Sequence, residues 1–269
     1  MTAVHGVDTY IGLKLAGFRG ILLNSMKVPD NVAQSMNHIV DELVRAVASM
    51  RFAPPVQWVY NPLAYARRSY DAYCRRYGTG PKEILLVGMN PGPWGMAQTG
   101  IPFGDAEMVK EWLELHGPVS GPVNQHPKRP IAGYNCPRGE VSGKRLWGWA
   151  RDRFGTPRRF FNRFWVANYC PLVFMEAGGR NRTPDKLPKK EKVPLFEACD
   201  RALYLTVGLL KPRYVIGVGK FAEDRARSAL KGQDVILGRI THPSPANPKA
   251  NRGWERLITQ ELAALGVRY

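Results

Sequence analysis

One stretch of this sequence decides the fold: Gly88-Met89-Asn90-Pro91-Gly92-Pro93-Trp94-Gly95-Met96-Ala97-Gln98-Thr99-Gly100-Ile101-Pro102-Phe103-Gly104. It follows the short apolar run Glu83-Ile84-Leu85-Leu86-Val87, which predicts a buried strand. Where that strand ends, the composition changes to glycine and proline, residues that hold a backbone close to another group. A polar residue, Asn90, stands at this point. Because ligands bind at the carboxyl ends of strands in an open α/β sheet, the stretch predicts a functional loop.

The same arrangement recurs along the chain, where other apolar runs end in polar residues. Strands are predicted over 83–87, 163–169, 214–219 and 235–241, and helices over 37–51, 61–76, 105–115, 142–150, 193–210, 221–230 and 251–265. Strands that alternate with helices indicate a parallel sheet covered on both faces. The ends of parallel strands meet at one edge of the sheet, so we expect Asn90, Asn168 and His242 to converge on a common site.

Length and composition indicate a globular α/β protein. The chain has 269 residues, of which 44% are hydrophobic, enough for a substantial core. Since neither an internal repeat nor a domain boundary is visible, we expect a single domain over residues 37–269, preceded by an extension of unknown role over residues 1–36. No apolar run is long enough to span a membrane and no secretion signal is evident, so we expect no membrane partner and a cytoplasmic location.

The cysteines argue against a metal or a cofactor. The chain contains Cys74, Cys136, Cys170 and Cys199, which lie far apart in sequence, and it has no C-x-x-C pair. Zinc ribbons and iron–sulfur clusters usually include at least one close cysteine pair. We therefore expect four reduced thiols, no metal and no cofactor.

Positive charge is the strongest signal in the composition. The formal net charge is +17, as expected of a protein that binds a polyanion. Ten basic residues and only two acidic ones lie between Gln125 and Trp165, interleaved with aromatic residues. Part of this cluster falls in a long loop rich in proline and glycine, and loops of that length inside a compact domain are usually functional. A DNA-backbone footprint that includes Lys128, Arg129 and Lys144 is therefore favoured over a merely solvated basic face.

Three segments of the chain resemble motifs of the uracil-DNA glycosylase superfamily, and within it those of the single-strand-selective monofunctional uracil-DNA glycosylases. The segments are Gly88 to Gly104, Asn168-Tyr169-Cys170-Pro171-Leu172, and His242-Pro243-Ser244-Pro245-Ala246-Asn247-Pro248-Lys249-Ala250-Asn251-Arg252-Gly253-Trp254. The resemblance covers roughly residues 36–267 and implies a three-layer α/β/α sandwich with a four-stranded parallel central sheet. It also implies base-excision repair: hydrolysis of the N-glycosidic bond of uracil and 5-hydroxymethyluracil in single- and double-stranded DNA, leaving an abasic site.

The resemblance assigns roles to four side chains. Phe103 would be the ring on which the flipped base stacks, and the amide of Asn168 would read the N3–H and O4 edge of uracil. His242 would donate a hydrogen bond to the uracil oxygen on which negative charge develops. Asn90 would orient the attacking water, because an amide cannot act as a general base.

The resemblance also assigns the pocket walls and a wedge. Met89, Gly92 and Met96 would line the pocket, with Gly92 and Met96 beside the C5 edge of the base, where a bare backbone leaves room for a small polar substituent. The second motif would push into the duplex, with DNA contacts from Ser244, Pro245, Ala246, Asn247, Pro248, Lys249 and Arg252. Relatives carry arginine at the position of Ala246, so alanine here favours single strands over duplex penetration.

Two other functions remain open from the sequence. A mismatch-type glycosylase, which removes thymine or uracil opposite guanine, also has Asn-Pro-Gly in its first motif. A non-catalytic protein that binds damaged DNA could share the fold and the charge. No lysine in these motifs is placed to form a Schiff base with the sugar, which predicts a monofunctional enzyme without a lyase step. We expect a monomer that works on DNA, in the nucleoid of a bacterium or the nucleus of a eukaryote.

Overall fold

The computed structural model describes residues 32–268, which contain the elements expected from the sequence and a second, small sheet. The helices are α1 (Val32–Ala48), α2 (Pro62–Tyr65), α3 (Arg67–Tyr77), α4 (Met96–Thr99), α5 (Ala106–Glu111), α6 (Val141–Phe154), α7 (Pro157–Phe161), α8 (Lys189–Leu210), α9 (Lys220–Ala229) and α10 (Trp254–Ala264). The strands are β1 (Val56–Tyr60), β2 (Ile84–Gly88), β3 (Phe164–Asn168), β4 (Val173–Glu176), β5 (Asn181–Arg182), β6 (Tyr214–Val218) and β7 (Ile236–Ile240).

The predicted four-stranded sheet is confirmed. Its strand order is β3-β2-β6-β7, and every neighbouring pair is parallel. β2 and β6 form its centre, and all five residues of each are buried. The register pairs Gly88 at the end of β2 with Asn168 at the end of β3. The first and second polar strand ends therefore lie side by side.

Helices cover both faces of this sheet, which confirms the three-layer α/β/α sandwich. Successive side chains of β3 point to opposite faces. Phe164 packs in a parallel stack on Phe160 of α7, with ring centroids 4.8 Å apart. Trp165 faces the other way and stacks on Tyr73 of α3, with centroids 4.4 Å apart. α1 and α8 pack against each other on the Trp165 side, and α10 packs on α6.

A second sheet, of three antiparallel strands in the order β1-β4-β5, is not predicted by the sequence pattern. Its strands are only five, four and two residues long, too short for a clear alternation of apolar and polar residues. β4 follows closely after β3 and pairs with β1, more than 100 residues earlier.

Several helix boundaries differ from the prediction. α1 begins at Val32, and its buried Met36 belongs to the core, so the boundary expected between residues 36 and 37 falls inside this helix. The helix expected over 61–76 is divided into α2 and α3. α8 begins at Lys189, four residues before the predicted start. The rest of the predicted N-terminal extension, residues 1–31, lies outside the described residues.

The described part of the chain provides neither a bilayer-spanning helix nor a metal cage. None of the helices within residues 32–268 has both the length and the hydropathy needed to cross a membrane. In the same range, no three His, Cys, Asp or Glu side chains are grouped so that they could hold a metal ion. Three of the four unpaired cysteines are buried, and Cys136 is half-buried.

Candidate active site

The side chain of Asn90 is fixed by the neighbouring strand connection. Its Nδ2 donates a hydrogen bond to the backbone oxygen of Leu172 at 3.0 Å. The backbone N–H of Cys170 in turn donates to the oxygen of Met89 at 2.9 Å, which ties the two loops together. Because Nδ2 is committed to Leu172, the carbonyl oxygen of the Asn90 amide is the end left to accept a hydrogen bond from water.

Gly88 allows an amide and an aromatic ring to face the same space. A Cβ atom on Gly88 would overlap Oδ1 of Asn168 and would lie 2.8 Å from Cε2 of Phe103. Any other residue at this position would therefore push both side chains away. Asn168 is half-buried and Phe103 is 7% exposed, and both lie beside the position that a Cβ on Gly88 would take.

Phe103 is held in a backbone conformation that phenylalanine rarely adopts. Its φ angle is 53°, in the left-handed region, which costs a residue with a side chain about 1–3 kcal/mol. Two donors hold its carbonyl oxygen: the indole Nε1–H of Trp147 at 3.0 Å and the backbone N–H of Asp105 at 2.8 Å. The ring centroid of Phe103 lies 6.3 Å from that of His242. The two hydrogen bonds stabilise this unusual backbone conformation, which places the ring of Phe103 near His242, a polar residue that follows β7.

His242 is a neutral hydrogen-bond donor. Its Nδ1 accepts a hydrogen bond from the backbone N–H of Ser244 at 3.0 Å, so the ring proton resides on Nε2. Burial lowers the pKa of His242 to about 4. The unfolded chain binds this proton near pH 6.5, so the protein loses stability as the pH falls from there toward 4. At neutral pH the imidazole offers an uncharged Nε2–H.

The structure thus brings the end of β3 beside the end of β2 and places the ring of Phe103 next to His242. A sequence model of the Uracil DNA glycosylase superfamily matches residues 76–263, which include all of the side chains just described. The chain belongs to the uracil-DNA glycosylase superfamily. The resemblance drawn from the motifs is thereby confirmed.

Curated relatives within the superfamily are similar over most of their length. The "Single-strand selective monofunctional uracil DNA glycosylase" of Mus musculus is 48% identical over 82% of this chain and 80% of its own. The protein of the same name from Bos taurus is 44% identical over 92% of each chain. The crystal structure of wild-type Pedobacter heparinus SMUG2 matches with a TM-score of 0.62 at 19% identity, covering 85% of this chain and 97% of that one, which supports the fold.

The second superfamily motif forms a loop that is tied to itself and to the sheet. Asn247 donates from Nδ2 to the backbone oxygen of His242 at 3.3 Å, and its Oδ1 accepts from the N–H of Lys249 at 3.1 Å. Ser244 Oγ accepts from the N–H of Ala246 at 3.2 Å. These bonds hold the loop in a compact turn whose tip, from Pro245 to Lys249, is largely exposed. Ser244, Asn247 and Asn251 form hydrogen bonds within this loop. The exposed members of the predicted wedge include Pro245, Ala246, Pro248, Lys249 and Arg252.

Arg145 of α6 anchors this loop from outside. Its guanidinium donates to the backbone oxygen of Pro243 at 2.8 Å and to Oδ1 of Asn251 at 2.9 Å. Asn251 then donates from Nδ2 to the oxygen of Pro245 at 2.9 Å. The sequence marks Arg145 only as one basic residue among many, because these partners lie about 100 positions away. In the structure it is a brace for the loop that follows His242.

We expect Arg145→Ala to weaken excision from duplex DNA more than excision from single strands. The variant loses two hydrogen bonds that hold the wedge loop, and only a duplex requires the wedge to be in place before a base is flipped. We expect KM for a duplex substrate to rise about tenfold. Steady-state kinetics on matched single- and double-stranded oligonucleotides measure the effect.

Arg151→Ala is the control, because Arg151 lies on the same helix but is exposed and pairs with its neighbour Asp152. An equal loss on both substrates in Arg145→Ala would contradict the bracing role.

Glu140 lies behind the first motif, where the sequence gives no hint of it. A Cβ on Gly92 would overlap Oε1 of Glu140, and a Cβ on Gly95 would overlap Oε2. Oε2 is buried and has no hydrogen-bond partner within the described residues. The sequence predicts that Gly92 leaves room beside the base. The structure gives a further reason for glycine at positions 92 and 95, because a carboxyl group lies against the backbone of the loop there.

The carboxyl group of Glu140 makes stability depend on pH. Burial, and secondarily the nearby Asp105, raise its pKa from 4.5 to about 7. Between these values the folded protein holds a proton that the unfolded chain has released, so stability falls as the pH rises from about 4.5 to 7. We expect Glu140→Gln to remove up to about 3 kcal/mol of this pH dependence. Urea unfolding at pH 5.5, 6.5 and 8 measures it.

The exposed Glu255 provides the control substitution, Glu255→Gln, which should leave the pH dependence of unfolding intact. A Glu140→Gln variant whose unfolding free energy falls with pH as steeply as that of the unaltered protein would show that Glu140 is ionised at neutral pH.

The basic loop after α5 is joined to the first motif by Gln98. This fully buried side chain donates from Nε2 to the backbone oxygens of Pro93 at 3.0 Å and Pro130 at 3.1 Å. Its Oε1 accepts from the N–H of Ala132 at 2.9 Å. One amide therefore holds the pocket loop and the basic loop in a fixed relation.

The side chains predicted to contact the DNA backbone differ in their exposure and in their partners. Lys128 is exposed, whereas Arg129 stacks on the ring of Trp94 with its Cζ 4.9 Å from the centroid. Arg138, not chosen from the sequence, stacks on the same ring at 4.8 Å. Lys144 forms an ion pair with Glu107 at the surface. The pairing of two arginines with one tryptophan of the first motif links residues 35–45 positions apart, which no local pattern reveals.

Proposed function

We propose that this protein excises uracil and 5-hydroxymethyluracil from single- and double-stranded DNA, leaving an abasic site, as a monofunctional glycosylase of base-excision repair. The observation that carries the proposal is the pocket in which Gly88 makes room for both Asn168 and Phe103, with His242 beyond the ring. It offers a stacking surface, a two-sided amide and an uncharged donor within one small space. The curated relatives from mouse and cow are named single-strand selective monofunctional uracil DNA glycosylases, which supports the uracil part of the proposal.

The pocket suits a flipped uracil. The ring of Phe103 provides the stacking face, worth about 1–3 kcal/mol for a base. The amide of Asn168 supplies an acceptor for N3–H and a donor for O4. His242 offers Nε2–H to the base oxygen on which negative charge builds as the N-glycosidic bond breaks. Because this donor is already oriented by Ser244, it requires no rearrangement during the reaction.

Water attack is the lesser part of the mechanism. As the bond between the anomeric carbon and the base breaks, its electrons move to the uracil and the sugar becomes cation-like. Asn90 then presents its carbonyl oxygen to a water that adds to the anomeric carbon, with the water's proton passing to solvent or to the departing base. Since an amide is a very weak base, the rate rests mainly on stabilising the leaving uracil anion.

The DNA contacts follow from the exposed cations and the wedge. Lys249 and Arg252 are exposed on the loop after His242, where phosphates beside the flipped nucleotide would lie. Ala246 at the exposed tip offers only a methyl group to fill the gap in a duplex. We therefore propose activity on both strand forms with a preference for single strands. A lyase step is not part of the proposal, because no lysine is placed at the pocket among the contacts described.

Tolerance of a 5-hydroxymethyl group rests on the bare backbone at Gly92. The side-chain position of Gly92 is taken by the carboxyl group of Glu140, so we propose that the backbone of the loop at this residue faces the C5 edge of the base together with Met96. A backbone amide can hydrogen-bond a hydroxyl group, whereas the methyl group of thymine gains nothing from it. We further propose a single catalytic domain that acts as a monomer in the compartment that holds DNA.

The deciding experiment is excision from labelled oligonucleotides that carry uracil, 5-hydroxymethyluracil or thymine, each single-stranded and paired, with and without alkali. We expect release of uracil and 5-hydroxymethyluracil but not thymine, and strand breaks only after alkali. Activity confined to bases opposite guanine would indicate a mismatch-type glycosylase instead. Tight binding without excision would indicate a non-catalytic damaged-DNA-binding protein.

A further inference from the structure

We propose that the sulfur atom of Met96 fixes the orientation of the Asn168 amide and thereby helps to select uracil over cytosine. In this reading Met96 is a specificity-determining positioning residue, and not only a wall of the pocket. The inference rests on the proposed function, since it names what the same pocket distinguishes. The evidence is a contact between the side chains of Met96 and Asn168, which neither the motifs nor the fold predicts.

The contact is a hydrogen bond between an amide and a thioether. Nδ2 of Asn168 donates to Sδ of Met96 at 3.2 Å. Met96 is 2% exposed and opens helix α4, so its sulfur is held within the protein and not in solvent. A thioether can accept a hydrogen bond but has no proton to donate. The end of the amide that faces Met96 must therefore be the NH2 group.

The other end of the amide then has a fixed direction as well. Oδ1 of Asn168 faces the Cα of Gly88 and the ring of Phe103, which together offer no hydrogen-bond donor from their side chains. The NH2 group keeps one proton for a ligand after the other binds sulfur. The empty pocket therefore presents a donor on the Met96 side and an acceptor on the Phe103 side before any base arrives.

This fixed order distinguishes two bases of the same shape. Uracil offers an acceptor at O4 next to a donor at N3, which matches the donor and acceptor of the amide. Cytosine offers a donor at N4 next to an acceptor at N3, so the amide would have to turn over. A turned amide would place its oxygen against the sulfur, leaving two acceptors in contact and a buried polar group without a partner.

The surroundings allow the sulfur to be replaced with little change in packing. A cavity of about 50 Å³, lined by Met96, Asn168, Trp165 and Leu203 among others, lies between the sheet and α1. Leucine at position 96 keeps the apolar volume but removes the acceptor, and the cavity gives its branched side chain space. Met108 is a second buried methionine, 8% exposed on α5, and Met108→Leu makes the same chemical change away from the amide.

The experiment measures the binding of single-stranded oligonucleotides with 2′-fluoro-2′-deoxyuridine or 2′-fluoro-2′-deoxycytidine, in which fluorine slows bond breakage. The ratio of the two Kd values gives the base preference. We expect Met96→Leu to lower the preference for uracil about two- to tenfold, the worth of one ordinary hydrogen bond. We expect Met108→Leu to leave the ratio unchanged.

The outcomes separate this inference from the proposed function. An unchanged ratio in Met96→Leu, or an equal loss of affinity for both bases, would overturn the role of the sulfur, because a purely structural residue weakens both complexes alike. No preference in the unaltered protein would overturn it too. Failure of the unaltered protein to release uracil from ordinary oligonucleotides counts against the proposed function, while the Kd ratio still decides the role of Met96.

Discussion

We expect His242→Leu to lower single-turnover excision of uracil by about 10²–10³-fold, the loss typical of one preorganised donor to a developing negative charge. Leucine fills a similar space but has no proton to offer the base oxygen. The binding of intact DNA should change little, because the donor acts mainly after charge has moved to the base. Rapid-quench measurements with enzyme in excess give the rate of the chemical step directly, free of product release.

The pH dependence tests whether the donor is neutral. With the pKa of His242 lowered to about 4, the imidazole stays uncharged from pH 8 down to pH 5. The rate ratio between the unaltered protein and His242→Leu should therefore be constant over that range. A ratio that rises tenfold or more between pH 8 and 6 would show that an imidazolium is the active donor. His116→Leu, at an exposed position, is the matched control and should react as the unaltered protein does.

We expect Asn90→Ala to lower single-turnover excision by at least about 10²-fold, through loss of the group proposed to orient the water. Unlike His242→Leu, this variant retains the donor that stabilises the leaving base. The hydrogen bond to Leu172 is lost as well, which loosens the turn after β3. Excision rates with uracil oligonucleotides measure the loss, and binding of the 2′-fluoro analogue reports whether the pocket remains intact.

Asn135→Ala is the control for Asn90→Ala, because Asn135 is an exposed asparagine in the basic loop. Near-normal excision by Asn90→Ala would exclude the water-orienting role. A second variant, Asn90→Asp, separates orientation from hydrogen-bond donation: its carboxylate can hold a water but cannot donate to Leu172. We expect it to retain more activity than alanine.

The sequence predicts the central sheet well because its signals are local. The strand expected over 83–87 lies at Ile84–Gly88, and the strand expected over 235–241 lies at Ile236–Ile240. Each is a short apolar run that ends in a glycine- or proline-rich turn, so pattern and position agree. The Asp105 cap is confirmed for the same reason, since its Oδ1 accepts from the N–H of Met108 at 3.2 Å.

What the sequence does not predict depends on contacts between distant positions. Arg145 reaches Asn251, and Arg225 of α9 pairs with Asp200 of α8, yet nothing in the local spacing distinguishes these arginines from solvated ones. Glu140 follows a glycine at the start of a helix and reads as an ordinary surface acid. Its burial behind the first motif becomes visible only when the loop folds back over it.

The three hydrogen bonds of Gln98 have a consequence for energetics. They hold the backbone around Pro93 and the backbone around Pro130 in a fixed relative position. We expect DNA phosphates that order the loop near Pro130 to share the free energy of that ordering with the base pocket, and by thermodynamic reciprocity a bound base should then strengthen phosphate binding. We therefore expect the affinity for the strand and the affinity for the lesion to change together in this protein.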